Sequence, residues 1–205
     1  MQHKLWKLAA VSLLSLAAAG VQAAAIIGQP APDFSAKNAT GSTVTLSSFK
    51  GKTVVLEWTN HLCPFVQKHY DNSGNIPALQ QAATADGVVW LQLISSAPGK
   101  QGHVDGATAL KLNQDRKAAP TEVLLDESGQ VGKLYEAQTT PHLYVVNADG
   151  VLVYKGGIDS IKSSKAEDIA KAQPYLKDAL AAVKAGQPVK NAATAPYGCS
   201  IKYAE

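Results

Sequence analysis

Beyond residue 25 the chain alternates between short, β-branched apolar runs and longer stretches with helical spacing. Residues 53–58 (TVVLEW) and 88–94 (VVWLQLI) are near-continuous apolar runs, the mark of strands buried on both faces of a sheet. Residues 122–126 (EVLLD) read as a third strand. Between the first two, Phe65, Val66, His69 and Tyr70 follow one another at helical spacing. Residues 71–74 (DNSG) interrupt that helix and residues 76–85 resume it. Residues 107–117 and, more briefly, 131–137 read as further helices. Residues 34–37 and 43–46 alternate around Asn38-Ala-Thr-Gly41 and predict a small hairpin; 142–146 and 151–154 flank Asn147-Ala-Asp-Gly150 and predict a second. Residues 165–185 form a last helix that Pro174 kinks or splits. Strands alternating with helices and ending in an antiparallel hairpin define an α/β chain, a mixed central sheet sandwiched by helices.

The first residues stand outside this pattern. Lys4 and Lys7 precede an apolar stretch over 8–20, and Val21-Gln22-Ala23 places small residues where a signal peptidase reads them. The stretch is shorter than the ~20 residues a membrane span needs. The expected organisation is a signal peptide over 1–23, one globular domain over 24–186 and a Pro- and Ala-rich tail over 187–205 carrying Cys199. Such a protein is exported, with a periplasmic location expected, and free of the membrane after cleavage. Disulfides form and persist in that compartment.

Composition narrows the function classes. With 46% hydrophobic and 17% charged residues, disordered and coiled-coil readings are out. Lys4 and Lys7 account for two of the excess positive charges behind the formal +3, and Arg116 is the sole arginine, so no basic face for nucleic acid is expected. Two cysteines are too few for a disulfide scaffold and enough for one redox pair or one reactive thiol.

Cys63 ends the loop that leaves the first long strand, and Pro64 suits the first position of the helix that follows. Unpaired backbone N–H groups and the helix dipole there favour thiolate over thiol, the reactive species. His61 and Lys68 would add positive charge. The plainer alternative is a buried structural cysteine. Thr140 precedes Pro141 at the start of the second hairpin, where an X–Pro bond is either cis or part of a plain turn. Lys100 and His103 leave the second strand on the same sheet edge as Cys63 and are candidates for a groove beside it. His61, Cys63, His69, His103 and His142 offer soft ligands for copper or zinc, but their spacing matches no metal motif and no metal or other cofactor is expected. Trp58, Trp90 and Phe65 read as core aromatics, and the charges of the last helix as a solvated face.

A strand, a cysteine-proline at the head of a helix and a Thr-Pro before a terminal hairpin resemble the thioredoxin superfamily. The segments 27–34 (IGQPAPDF) and 46–52 (LSSFKGK) resemble the start of its peroxiredoxin and thiol-specific-antioxidant branch. The blocks 57–60 (EWTN), 63–66 (CPFV), 95–103 (SSAPGKQGH) and 196–203 (PYGCSIKY) are similar to a peroxiredoxin-like subgroup of it. This resemblance implies a thioredoxin-like fold with Cys63 as nucleophile and a groove formed by Thr59, His61, Pro64, Phe65, Thr140 and Pro141. The chain departs from the branch at several points. Val66 stands where thioredoxins carry a second cysteine, and Thr59 precedes Cys63 by one residue more than in the peroxiredoxin Thr-x-x-Cys. Arg116 falls in a helical stretch, so the donors that a peroxide pocket requires are missing and peroxidase activity is not expected. What remains is the pair Cys63 and Cys199. Closing so long a loop would restrict the unfolded chain by about 4–5 kcal/mol. The bridge is either a permanent staple for the tail or a redox switch in which Cys63 attacks and Cys199 resolves. The expected activity is an exported thiol–disulfide oxidoreductase or antioxidant thiol protein whose partners are protein thiols and disulfides or a periplasmic reductant. The alternatives are a thioredoxin-like copper chaperone and a non-catalytic binding module with a structural Cys63–Cys199 bridge.

Overall fold

The computed structural model describes residues 24–205, and the leader expected over 1–23 lies outside the described residues. The elements are β1 (Ser35–Asn38), β2 (Thr43–Thr45), β3 (Val54–Trp58), α1 (Pro64–His69), α2 (Asn75–Ala85), β4 (Val89–Ile94), α3 (Gly106–Asp115), β5 (Glu122–Leu125), α4 (Gln130–Leu134), β6 (Thr139–Thr140), β7 (His142–Val146), β8 (Leu152–Gly156), α5 (Tyr175–Lys184) and β9 (Cys199–Ser200). Seven strands form one sheet in the order β2-β1-β5-β4-β3-β7-β8, and β6 pairs with β9 in a separate ladder. β3, β4 and β5 are parallel to their neighbours among one another; β7, β8, β1 and β2 add antiparallel pairs. This is the mixed sheet that the apolar runs predict.

The sheet separates two cores. Along β3, Val54, Leu56 and Trp58 face one core with Tyr135 and Tyr144, and Val55 faces the other with Cys63, Trp90, Tyr70 and Leu176. That division follows from the two-residue period of a strand. β3 is buried at every position, Glu57 included, as its near-continuous apolar run requires. The antiparallel register pairs Trp58 with His142. The chain leaving β3 toward Cys63 therefore runs beside the chain entering β7 through Pro141.

Three local outcomes refine the pattern. Pro174 splits rather than kinks the last helical stretch: a 3₁₀ segment, Ala166–Lys171, precedes α5, and Pro174 caps its start. The fourth helix stops at Leu134 because Glu136 turns the chain at a φ of 54°. The residues 187–205 do not hang free. Ile201 N–H donates to Gln138 O at 3.0 Å, Ala97 N–H to Lys202 O at 2.8 Å, and the Tyr203 hydroxyl to Ala137 O at 2.8 Å. Among the described residues no helix is long and apolar enough to cross a membrane.

Candidate active site

The Cys63 turn is built locally. The Asn60 side chain accepts the Leu62 N–H at 2.9 Å, an Asx-turn, and its backbone carbonyl accepts the Cys63 N–H at 3.0 Å. Cys63 is extended, with φ −82° and ψ 123°, and caps α1 with Pro64 at the first position. α1 is only six residues long, so its dipole is small and the useful group is one amide.

Cys63 is fully buried, but not by a closed apolar shell. What covers it is the C-terminal segment. Thr140 pairs with Cys199 across the β6–β9 ladder, and the Cys199 N–H donates to Cys63 Sγ at 3.4 Å. The Cys63 thiol donates to Thr140 O at 3.2 Å. Both cysteines are free thiols. Burial pushes the Cys63 thiol up; hydrogen bonds from the Cys199 thiol, the Val66 and Cys199 amides and Thr140 outweigh it, and the net direction is down. Cys199 moves the other way, raised by burial and then by the hydrogen bond and charge of Cys63. The thiolate is thus favoured on Cys63 and the proton on Cys199.

This approach depends on a glycine. Gly198 has φ +139°, and a Cβ there would lie 2.0 Å from Thr140 O. Gly198→Ala is expected to push β9 off β6. At a backbone cost of about 1–3 kcal/mol, the equilibrium constant for the Cys63–Cys199 disulfide against glutathione should fall by roughly five- to a hundredfold.

The other expected residues divide. Thr140 and Pro141 stand beside Cys63, joined by a cis peptide bond. Phe65 is half-buried and packs edge-on against Tyr197, with ring centroids 5.8 Å apart. The groove expected from Thr59, His61, Pro64, Phe65, Thr140 and Pro141 is not open, because the chain's own segment around Tyr197 and Cys199 occupies it. Thr59 and His61 instead line a cavity of about 20 Å³ with Arg116, and Thr59 Oγ1 is the one buried side-chain polar atom without a partner among the described residues.

His61 and Lys68 do not supply the expected positive charge. Burial and then the Arg116 charge hold His61 below its ordinary value. Lys68 turns away into a fully buried pair with Asp159 at 3.4 Å. Lys100 and His103 pair with Glu205 and Glu127, each at 3.1 Å, and leave the site. No three of the histidines, cysteines and carboxylates among the described residues come together as a metal-holding group. Burial pushes His142 down to about 3, and its ring packs on Tyr144.

Two further residues belong to the surroundings of the site. Arg116, at the end of α3, donates to His61 O at 3.2 Å and pairs with Asp71 at 2.9 Å, bracing the Cys63 loop from a helix. Glu57 is buried in β3 and accepts from Tyr70 Oη at 2.7 Å, Trp90 Nε1 at 2.7 Å and Gln80 Nε2 at 3.1 Å. Burial lifts its carboxyl to about 7 against those three hydrogen bonds. A charged residue inside an otherwise apolar strand was the available signal for it.

A mixed sheet of this order, with a cysteine at the head of the helix after its central strand and a cis-proline beside it, defines a thioredoxin-like thiol protein. The chain belongs to the AhpC/TSA family, whose model matches residues 27–155, and within the thioredoxin superfamily it falls in the peroxiredoxin-like group. Among solved structures, an uncharacterized conserved protein from Geobacillus kaustophilus is 26% identical, with a TM-score of 0.72 over 88% of this chain and 93% of that one. A hypothetical protein from Sinorhizobium meliloti 1021 is 23% identical, with a TM-score of 0.71 over 87% of this chain and 95% of that one. No curated protein matches the chain.

Proposed function

We propose that the chain is an exported thiol–disulfide oxidoreductase in which Cys63 attacks and Cys199 resolves. The observation that supports this reading most directly is the Cys199 amide and thiol set against a Cys63 sulfur whose thiolate is favoured. The Cys63 thiolate attacks one sulfur of a partner disulfide, a mixed disulfide forms, and the partner's other sulfur leaves as thiolate. Cys199 gives up its proton and attacks the Cys63 sulfur of that bond. The partner's second thiolate leaves, and the Cys63–Cys199 disulfide carries the two electrons' worth of oxidation. A periplasmic reductant resets the pair, or a partner dithiol does so while being oxidised itself. The leader over 1–23 supports export, and the partners are protein thiols and disulfides.

Titration in glutathione redox buffers tests this reading. The pair is expected to half-oxidise well above the roughly −300 mV typical of structural disulfides, and Cys63 alkylation is expected to have its midpoint below an ordinary thiol's ~8.5. A bridge that resists all physiological buffers makes the pair a staple. A Cys63 that reacts only in alkali removes the nucleophile.

A further inference from the structure

Two residues before Cys199, Tyr197 plugs into a buried polar cluster that the thiol chemistry does not use. Its hydroxyl donates to Asp159 Oδ1 at 2.5 Å and accepts from Lys68 Nζ at 3.4 Å. His69 Nε2 lies 3.2 Å from the same oxygen. Asn75 Nδ2 donates to His69 Nδ1 at 2.9 Å, so the ring proton sits on Nε2 and points at Tyr197. Lys68 and His69 are fully buried, and Asp159 nearly so. Lys68 and His69 lie on α1, the helix that Cys63 caps, and Asp159 lies after β8. Tyr197 is the cluster's one member from the C-terminal segment, and it ties that segment to the helix of the nucleophile.

The segment has firm anchors on either side of this contact. Upstream, Thr194 N–H donates to Lys155 O at 3.1 Å, and its hydroxyl meets Tyr154 Oη at 2.8 Å. Downstream, Ile201 and Tyr203 hold to Gln138 and Ala137. Between these anchors residues 195–200 form a strap across Cys63. The two-residue β9 ladder, the Cys199 N–H on Cys63 Sγ, the Thr140 hydroxyl on Cys199 O and Tyr197 hold it down, and the anchors on either side would keep the tail attached if these were released. Lifting it takes the Tyr197 oxygen away from Asp159 and Lys68 and uncovers Cys63 in the same movement.

We propose that Tyr197 is a positioning residue, a latch that presses this strap onto Cys63 and sets both how exposed Cys63 is and how readily it bonds to Cys199. The second half of that statement rests on the oxidoreductase reading; the first requires only the Cys63 thiol.

The test compares the wild-type chain with Tyr197→Phe, which keeps the ring against Phe65 and removes the hydroxyl, and with Tyr203→Phe, which weakens the downstream anchor. Two quantities are read on each: the rate of Cys63 alkylation by iodoacetamide and the disulfide equilibrium against glutathione. Y197F should raise the alkylation rate and lower the disulfide equilibrium constant, each about tenfold, on the scale of one hydrogen bond to a charged group. Y203F should lower the melting temperature and leave both quantities unchanged. A folded Y197F with wild-type values of both overturns the latch, as does a Y203F that shifts them equally. If Y197F does not accumulate, the wild-type chain decides by hydrogen exchange. The Cys199 amide and Cys63 alkylation must then share one opening that is more frequent than global unfolding, and an opening equal to global unfolding overturns the proposal. If wild-type Cys63 and Cys199 never bond at any glutathione ratio, the oxidoreductase reading fails while the alkylation arm still judges the latch.

Discussion

Replacing Cys63 with serine is expected to abolish thiol–disulfide exchange, a loss of at least about a thousandfold to the uncatalysed background. A serine hydroxyl in that turn keeps its proton. The amides of Val66 and Cys199 that favour the thiolate would then face a neutral oxygen. Replacing Cys199 with serine should stop the reaction one bond later. Cys63 still attacks, but nothing nearby can displace the partner from the mixed disulfide, so the complex accumulates. The measurement is the intact mass of the C199S chain after exposure to an excess of a model disulfide such as oxidised glutathione. A single adduct on Cys63 is the expected result, against no adduct on C63S. The C199S experiment also separates attack from resolution, because the hydrogen bond from the Cys199 thiol is one of those lowering Cys63. The serine hydroxyl still offers a donor to Cys63, so attack continues near neutrality, and Cys199→Ala, which removes that donor, should move the Cys63 alkylation midpoint to higher pH. Turnover retained by C63S would place the nucleophile elsewhere, and Cys199 would be the remaining thiol.

The parts of this site that were legible in the sequence are those written in local patterns. TVVLEW carries the period and composition of a doubly buried strand, and Cys63-Pro64 marks a helix start, so the place of Cys63 on the sheet edge followed. The hairpin turns were legible for the same reason. The covering of the site was not. β6 and β9 have two residues each, too few to show any period, and they meet only because Gly198 allows contact with Thr140 O. Lys68 shows the same limit. Beside Cys63 in sequence it reads as a charge for the thiolate, yet Asp159 and Tyr197, 91 and 129 residues further on, draw it into a buried cluster. Arg116 was discounted for lying on a helix, and its long side chain reaches the Cys63 loop from there. In each case the deciding partner lies far along the chain, where spacing rules have no reach.

Glu57 supports a second large effect, on stability rather than exchange. Its carboxyl is raised from an ordinary 4.5 to about 7 by burial. Below about 4.5 it is protonated in both folded and unfolded chains and has no effect on the pH dependence. Between 4.5 and 7 the unfolded chain loses this proton and the folded chain keeps it, so its contribution to stability falls as pH rises. Above 7 the loss is complete, at about 3 kcal/mol. Two buried histidines act in the opposite direction. His69 and His142 are pushed down to about 4 and about 3, so from those values up to 6.5 the unfolded chain binds their protons and stability rises with pH. The wild-type profile therefore mixes opposing slopes, and the useful quantity is a difference. Glu57→Gln keeps an oxygen for Trp90 and Gln80 and removes the titrating group; it also removes Tyr70's acceptor, a cost that does not vary with pH over this range. Urea unfolding of both chains at pH 4.5, 5.5, 6.5 and 7.5 should show E57Q gaining on wild type by about 3 kcal/mol across that range, nearly all of it before pH 7.5. A flat difference would mean that Glu57 does not titrate there and is held ionised by its three donors and Arg116. Tyr70, which donates to Glu57 at 2.7 Å, is the residue that ends α1. The same carboxyl therefore braces, through Tyr70, the far end of the helix that Cys63 caps.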